Sequence, residues 1–316
     1  MKHSIAAILL AGAIAVPAAA FAADYSIMAP AGPGGGWDQT ARAMDEALRA
    51  EGISQSVQVV NVPGAGGTIG LAQFANEASG DPSRLIVGGY VMVGAILTNN
   101  SPVGLDDVTP IARLTGEYEV IVVPANSPLQ TLADLTEMLK ANPGSVSWAG
   151  GSAGGTDHIT AALYAKTVGV DPTQVNYIAF SGGGEALASV LGGQTTVGIS
   201  GYGEFQGQVE AGALRVLGVS APERVAVIDA PTFAEGGVDL VVQNWRMVAA
   251  GPNLSDEQVA MINADIERMV NSASWQATLE SKGWINTYLA GDAFAEALDA
   301  EIAATSDILK DIGLVQ

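Results

Sequence analysis

Short apolar runs alternate along this chain with longer stretches in which apolar residues recur at helical spacing. Residues 25–29 form one short apolar run, and the stretch 37–50 carries Ala41, Met44 and Ala47 on one helical face. Side chains alternate across a strand but repeat about every 3.6 residues around a helix. The first pattern therefore predicts a strand, and the second predicts an amphipathic helix.

Glycine-rich segments connect the predicted strands and helices. PAGPGGG at 30–36 and PGAGGT at 63–68 each follow a predicted strand, and a third strand, 84–88, is followed by Gly-Tyr. The middle of the chain repeats this plan with glycine segments at 150–156 and 181–184, and it again finishes in Gly-Tyr. The other strands and helices predicted around these segments cover residues 57–62, 146–149, 157–168, 175–180, 185–191 and 196–200.

The repeated plan indicates the fold class and the division of the chain. Strands that alternate with helices through short loops are typical of an α/β protein with mostly parallel sheets flanked by helices. Two apolar stretches, 120–124 and 240–250, are candidate crossings between two similar lobes. We therefore predict one lobe from 23–124 plus 246–316, a second lobe from 125–245, and a hinged cleft between them.

The first residues have the features of a secretory signal peptide. A short basic start that includes Lys2 precedes the apolar run 5–16, and Ala20-Phe21-Ala22 fits a small-residue cleavage site. The apolar run is shorter than the roughly 20 residues that span a bilayer, although an uncleaved anchor is the alternative. We expect residues 1–22 to be removed and the mature chain, from Ala23, to be located in the periplasm.

Composition and charge limit the classes of molecule that this chain is expected to bind. The formal net charge is −20, and the chain has no cysteine. An acidic chain is a poor partner for nucleic acid and for anionic lipid. An anionic ligand must therefore be held by local hydrogen-bond donors and not by the overall field.

Four glycine segments at strand-to-helix junctions are candidate ligand loops. The first turn of a helix has unpaired N–H groups and a partial positive charge, and glycine lets the backbone approach a ligand closely. A carboxylate binds at such a helix end without help from lysine. In open α/β sheets ligands bind at this edge, although ordinary tight turns are the alternative reading.

Catalytic and cofactor motifs are sparse. There is no Gly-x-x-x-x-Gly-Lys-Ser/Thr phosphate loop, and His158 is the one histidine after residue 3. A single histidine without cysteine does not make a usual zinc site, and no Gly-x-Ser-x-Gly elbow accompanies it. We predict no catalytic residue, no metal and no cofactor, with His158 in a first helical turn, either solvated or lining the cleft.

Several side chains beside the glycine segments have two open interpretations. Trp37, Tyr90 and Tyr202 either wall a ligand pocket or pack in the core. Asp38 and Asp157 follow glycine segments directly and are expected to be structural, because an acid repels an anionic ligand. Arg246 pairs either with a ligand carboxylate or with an acid near the hinge, and the hinge is favoured.

Five ordered motifs carry a family resemblance over essentially all of the chain after the signal peptide. They are APAGPGGGWDQTARAM, PGAGGTIG, GSAGGTDH, FSGGGEALASVLGGQ and ISGYGEF. Together they resemble the substrate-binding proteins of tripartite tricarboxylate transporters, the TctC or Bug-type family. The resemblance implies a two-lobe Venus-flytrap fold of the type II periplasmic class, expected to be a monomer. It also implies that the chain captures a small di- or tricarboxylate, such as citrate, for a transporter with one large and one small integral membrane component.

The resemblance also implies which residues contact the ligand. Most of them lie in the glycine loop at 34–37 of the first lobe, which is expected to bind a carboxylate, and in the loops at 152–156, 181–183 and 200–202 of the second lobe, which are expected to face it. The expected ligand-binding residues are Gly34, Gly35, Gly36, Trp37, Tyr90, Ser152, Ala153, Gly154, Gly155, Thr156, His158, Ser181, Gly182, Gly183, Ser200 and Tyr202. Two other functions remain open from the residues: a sensor that presents a carboxylate to a sensor kinase, and a hydrolase that uses His158 with a nearby serine.

Overall fold

The computed structural model describes residues 24–316, so the predicted signal peptide and its cleavage site lie outside the described residues. The chain alternates strands and helices as the hydrophobic pattern indicates. The strands are β1 Tyr25–Ala29, β2 Val57–Asn61, β3 Arg84–Gly89, β4 Thr109–Pro124, β5 Ser147–Gly150, β6 Asn176–Ala179, β7 Val197–Gly201, β8 Leu214–Val219, β9 Gln243–Ala250 and β10 Ile285–Ala290. The helices are α1 Gly36–Ala50, α2 Thr68–Glu77, α3 Tyr90–Thr98, α4 Leu132–Ala141, α5 Thr156–Thr167, α6 Gly183–Leu191, α7 Tyr202–Glu210, α8 Asp256–Val270, α9 Ala273–Lys282 and α10 Gly291–Asp311.

The strands join in the order β2-β1-β3-β9-β4-β7-β5-β6, with β8 and β10 also paired to β4. Pairing is parallel between β1 and its neighbours β2 and β3, and between β5 and its neighbours β6 and β7. These are the strands around the glycine segments, and the α/β class is confirmed. The centre of the sheet is antiparallel, however, because β4 and β9 run against their neighbours. The sheet is therefore mixed and not mostly parallel.

Strand β4 is the longest strand and belongs to both halves of the sheet. Residues 109–118 pair with β9, and residues 119–124 pair with β7 and β8. The sequence pattern found only its apolar end, 120–124. Thr115, Glu117 and Glu119 interrupt the apolar run of the earlier part, yet all three are buried. Polar residues at buried strand positions point to a site, because a buried polar group needs a local partner.

Three apolar clusters form the core. The largest draws on 25–114 and 242–312, and it also includes Ile159 and Ala162 of α5. The other two draw on 120–238. The clusters separate between 114 and 120 and between 238 and 242, a few residues before the predicted boundaries at 124/125 and 245/246, and the division into two lobes stays a proposal. None of the helices between residues 24 and 316 combines the length and the apolar character that crossing a bilayer demands.

Helix α3 lies against the loop before α5 at a point where only glycine fits. A Cβ on Gly94 would lie 2.0 Å from the carbonyl oxygen of Gly154. We therefore expect Gly94→Ala to lower the free energy of unfolding by about 1–3 kcal/mol, the usual cost of overpacking. Gly207 is the matched control, since it lies inside α7 with nothing within 4 Å of its Cβ position. Gly207→Ala should be neutral or stabilising by up to about 1 kcal/mol in urea denaturation, because alanine favours a helix. Equal effects of the two substitutions would contradict the close contact.

Candidate functional site

The glycine loops of both halves of the sheet converge on one small pocket. The N-terminal turns of α1, α5 and α6 face it, together with the loop before α2. Its volume is about 60 Å³, which is several times the roughly 10–15 Å³ that one water molecule requires. The pocket is lined by Pro30, Ala31, Gly35, Gly36, Trp37, Gly64, Gly66, Gly67, Val91, Gly151, Ser152, Gly155, Thr156, Asp157, Ser181, Gly182, Gly183, Ser200, Glu204, Asn244 and Arg246.

Ten of the sixteen residues expected from the sequence lie together in this lining. These ten are Gly35, Gly36, Trp37, Ser152, Gly155, Thr156, Ser181, Gly182, Gly183 and Ser200. The other six, Gly34, Tyr90, Ala153, Gly154, His158 and Tyr202, lie outside the lining. Gly34 and Gly154 adopt positive φ angles of 82° and 75°, a conformation that glycine takes up readily and other residues rarely do. Ala153 borders a separate shallow groove with Ala65 and Asn99.

Both Gly-Tyr tyrosines begin helices and pack in the core. The Tyr90 ring lies 6.3 Å from the Trp245 ring, and its side chain is buried. Tyr202 belongs to the core cluster that includes Phe205 and Val120. Their contacts favour the packing interpretation over the pocket-wall interpretation. Trp37 lines the pocket while it is also buried, and its ring covers Gly67 of the loop before α2.

His158 is held inside the α5 loop as a neutral imidazole. Its ring stacks on Tyr177 with a centroid separation of 4.1 Å, and Nδ1 accepts a hydrogen bond of 3.2 Å from the Gly154 N–H. Burial lowers the pKa of His158 to about 4. These contacts favour a structural role for His158 in fixing the loop 151–156.

Two acids fix the glycine loops, as expected for Asp38 and Asp157. Asp38 accepts hydrogen bonds from the Gly34 N–H at 2.8 Å, from Arg42 and from Asn61. Burial acts to raise the pKa of Asp38, but these hydrogen bonds outweigh it and hold the pKa below its ordinary value. Asp157 accepts a hydrogen bond of 2.6 Å from the Gly151 N–H. Each acid therefore determines the shape of the loop that precedes its helix.

Arg246 lies at the pocket wall in an ion pair with Glu117. Both side chains are buried, with relative exposures of 4% and 6%. The Arg246 guanidinium also lies 5.1 Å from the centre of the Trp284 ring. The pairing with an acid is the one that the sequence favoured, and Glu117 is on the part of β4 that the sequence pattern missed. Asn244, two residues before Arg246 on β9, accepts a hydrogen bond of 3.2 Å from the Thr156 hydroxyl.

Glu204 was not expected at the site, yet it lines the pocket. It stands in the first turn of α7, and its Oε1 accepts a hydrogen bond of 2.7 Å from the Gly36 N–H of α1. Its Oε2 accepts a hydrogen bond of 3.2 Å from the Ser200 hydroxyl. An acid two residues after Gly-Tyr reads in sequence as an ordinary first-turn helix residue. Its spacing alone does not show that it crosses to a helix 168 residues away.

Buried acids dominate the electrostatics around the pocket. Burial and the nearby Asp157 charge raise the pKa of Glu119 well above its ordinary value. Burial raises the pKa of Asp157 to about 6 and that of Glu204 to about 7. Arg246 opposes the rise at Glu204 but does not cancel it. Among residues 24–316, no group of three or more histidines and acids is placed to hold a metal ion.

The fold and the site define a class. Glycine-loop amides from two halves of one mixed sheet surround a small pocket, which is the arrangement of a small-molecule binding protein. The chain belongs to the tripartite tricarboxylate transporter family of receptors, whose family model matches residues 40–314. The family consists of substrate-binding receptors and not of enzymes.

Relatives and solved structures agree with this assignment. The chain is 26% identical to protein BugT of Bordetella pertussis over 297 residues, which cover 92% of this chain and 90% of BugT. The fold is similar to that of the periplasmic binding protein BugD, with a TM-score of 0.83 at 21% identity, covering 92% of this chain and 98% of BugD. It is also similar to MatC from Rhodopseudomonas palustris with bound malate, with a TM-score of 0.80 at 23% identity, covering 90% and 98%.

Proposed function

We propose that this receptor captures a small organic carboxylate in the periplasm and delivers it to the membrane components of a tripartite tricarboxylate transporter. The observation that carries the proposal is the convergence of three glycine-led helix N-termini, those of α1, α5 and α6, on one pocket. Free N–H groups and the helix dipole favour a negative group at each of these ends. The MatC structure, which contains malate, supports a carboxylate as the ligand.

The proposed contacts come from backbone amides and small hydroxyl side chains. At the α1 end the Gly36 N–H already donates to Glu204 and the Gly35 N–H to the Gly32 carbonyl, so the proposed donor there is the Trp37 amide. Ser152 and Thr156 supply the α5 end, where the Gly155 N–H closes the loop onto the Ser152 carbonyl. The segment 181–183 supplies the α6 end, and Ser200 lies beside it. We further propose that the two halves of the sheet are lobes that close over the ligand, with β4 and β9 as the crossings. Citrate is one candidate ligand within this proposal.

A thermal-shift screen of the chain from Ala23 tests the proposal. The panel contains mono-, di- and tricarboxylates, with sugars and amides of matched size as controls. A ligand at 100 times its dissociation constant adds about 2.7 kcal/mol to the free energy of unfolding. That gain should raise the melting midpoint by several degrees. Stabilisation by sugars or amides, with no response to any carboxylate, would overturn the proposal.

Gly36→Ala is expected to weaken binding of whichever carboxylate stabilises the chain by at least about tenfold. A Cβ at residue 36 would lie 2.2 Å from a guanidinium nitrogen of Arg246 and 3.0 Å from Oε1 of Glu204. Contacts this short displace the pocket wall. Gly32→Ala is the matched control in the same loop, because nothing lies within 4 Å of its Cβ position. Calorimetric titration of both variants should show the loss only for Gly36→Ala, and an equal loss in both would contradict the assignment of the α1 end.

A further inference from the structure

The Glu119 side chain is buried on β4 without a hydrogen-bond donor of its own. Its relative exposure is 0%, and within residues 24–316 no donor group lies within hydrogen-bond distance of either carboxyl oxygen. An ionised carboxylate that is buried without a donor is very costly, and such a group usually stays neutral instead. The geometry therefore favours a protonated Glu119.

The group that Glu119 contacts is a second acid, Asp157 of α5. The two side chains form a hydrogen bond with each other. Two carboxyl groups can do this only when one of them carries a proton and donates it to the other. Asp157 is itself buried, with a relative exposure of 6%, and it lines the pocket. The pair therefore holds one proton and one negative charge next to the pocket.

The surroundings of the two acids assign the proton to Glu119. Asp157 accepts a hydrogen bond of 2.6 Å from the Gly151 N–H, and it stands in the first turn of α5, where the helix dipole favours a negative charge. Burial and then the Asp157 charge raise the pKa of Glu119 well above its ordinary value. Burial also raises the pKa of Asp157, but its hydrogen bonds with Gly151 and Glu119 oppose that rise.

The other titratable groups that face Glu119 favour the same state. Glu117 on the same strand and Glu204 on α7 both act to raise the pKa of Glu119. Arg246 of β9 is already paired with Glu117. Tyr177 of β6 faces the two acids with a neutral hydroxyl, because burial and the neighbouring acids raise its pKa well above the ordinary value. Ionising Glu119 would add a further charge among these acids.

The pair joins a strand shared by both halves of the sheet to a loop of the pocket. The Glu119 N–H donates to the Ser220 hydroxyl at 2.9 Å, which fixes the backbone of β4 at this point. At the other end of the pair, Asp157 accepts a hydrogen bond from the first N–H of the loop 151–156. A proton on Glu119 therefore connects the central strand to the loop that supplies the α5 end of the pocket.

We propose that Glu119 is a positioning residue that keeps its proton at neutral pH and donates it to Asp157, so that Asp157 holds the loop 151–156 in its binding shape. The proton also leaves the pair with one negative charge instead of two, which reduces the repulsion of a ligand carboxylate at the α5 end. The effect on binding rests on the proposed function, whereas the protonation of Glu119 and the order of the loop do not.

Two substitutions of similar volume test the role of the donated proton. Glu119→Gln keeps a neutral side chain with an N–H that can donate to Asp157, whereas Glu119→Leu removes the donor. Hydrogen exchange of the segment 151–158 should be at least about tenfold faster in Glu119→Leu than in the wild type, and within about threefold of the wild type in Glu119→Gln. Calorimetric titration with succinate, malate and citrate should show the same contrast in affinity.

Infrared spectroscopy detects the proton directly and needs no ligand. At pH 8 in deuterium oxide, the wild-type spectrum should contain the C=O stretching band of a protonated carboxyl group, and Glu119→Gln should lack it. Glu204, with a pKa of about 7, is mostly ionised at pH 8 and does not account for the band. Glu210→Gln removes an exposed acid of α7 and should keep the band.

The outcomes that overturn the inference differ from those that overturn the proposed function. A wild-type spectrum without the band, or a band that persists in Glu119→Gln, shows that Glu119 does not hold the proton. Equal loop exchange in Glu119→Gln and Glu119→Leu shows that the donated proton does not position the loop. If Glu119→Leu does not fold, loss of loop protection in Glu119→Gln overturns the inference by itself. Expected spectra and exchange without binding of any carboxylate overturn the proposed function alone.

Discussion

Glu117→Ala is expected to lower the free energy of unfolding by about 3 kcal/mol, one of the two largest effects that the structure predicts. Breaking a buried ion pair by removing one partner usually costs about 3–5 kcal/mol, because the other charge stays buried. Here that charge is the Arg246 guanidinium, which is 4% exposed. Removal of one acid also relieves repulsion on Asp157 and Glu204, so we expect the lower end of the range.

Glu117 also satisfies two other buried donors. The Trp284 indole N–H donates to its Oε2 at 3.0 Å, and the Asn244 amide donates to its Oε1 at 3.4 Å. Gly201 leaves the space for this carboxylate, since a Cβ there would lie 2.2 Å from Oε1. Glu117 therefore links β9, the segment before β10 and the end of β7, and alanine would leave three donor groups without it.

Urea denaturation followed by tryptophan fluorescence measures this loss, with Glu77→Ala as the matched control. Glu77 pairs with Arg84 at 3.5 Å, and both side chains are partly exposed, at 50% and 30%. A pair of this kind is worth about 0–1 kcal/mol. If Glu117→Ala destabilised the protein no more than Glu77→Ala does, the ion pair with Arg246 would not be the fixed feature that the structure shows.

The sequence predicted those helices and strands whose pattern of apolar and polar residues agrees with their burial in the folded protein. The helix α1 and the strand β2 follow from apolar periodicity, and the glycine loops follow from their composition. The sequence did not predict β4 at full length, because Thr115, Glu117 and Glu119 are buried for reasons that lie on other strands. It also missed α3, where residues 90–98 are apolar on nearly every face and have no amphipathic pattern.

The site was predicted in part for the same reason. Loop residues such as Gly36, Ser152 and Gly183 can be predicted from sequence, because they lie in glycine clusters beside strand ends. Glu204 cannot be predicted in this way, because its contact with Gly36 depends on how α7 faces α1 across the pocket. The sequence argument that an acid repels an anionic ligand kept Asp38 and Asp157 out of the expected site, yet Asp157 lines the pocket together with Glu204.

The melting midpoint is expected to fall by at least about 5 °C between pH 5.5 and pH 8. Burial raises the pKa of Glu119, of Asp157 to about 6 and of Glu204 to about 7. An acid whose pKa is raised by folding stabilises the protein fully below its unfolded pKa and loses that contribution as pH rises through the folded pKa. Each such acid costs about 1.4 kcal/mol per pH unit in that interval, and a few kcal/mol corresponds to several degrees in a chain of this size.

His158 acts in the opposite direction over part of this range. Burial lowers its pKa to about 4, so the unfolded chain takes up a proton below about pH 6.5 that the folded chain does not. As pH rises towards 6.5, the loss of this proton from the unfolded chain stabilises the folded state. It offsets about as much free energy of unfolding as one of the three acids removes. Above pH 6.5 the contribution of His158 is constant, Asp157 no longer contributes, and the contribution of Glu204 ends at about pH 7. The net effect is therefore a midpoint that falls across the range and falls less steeply above pH 7.

Three variants separate these contributions in scanning calorimetry across the pH range. Glu204→Gln should flatten the fall up to about pH 7, and His158→Gln should steepen it below pH 6.5. Glu210→Gln removes the same formal charge from the exposed end of α7 and should leave the slope unchanged. A midpoint that is constant or rises from pH 5.5 to pH 8 would contradict the prediction that burial raises the pKa values of these three acids. Glutamine keeps the volume of the Glu204 side chain and removes only its proton equilibrium, so the difference between the two slopes measures the charge that Glu204 contributes inside the pocket.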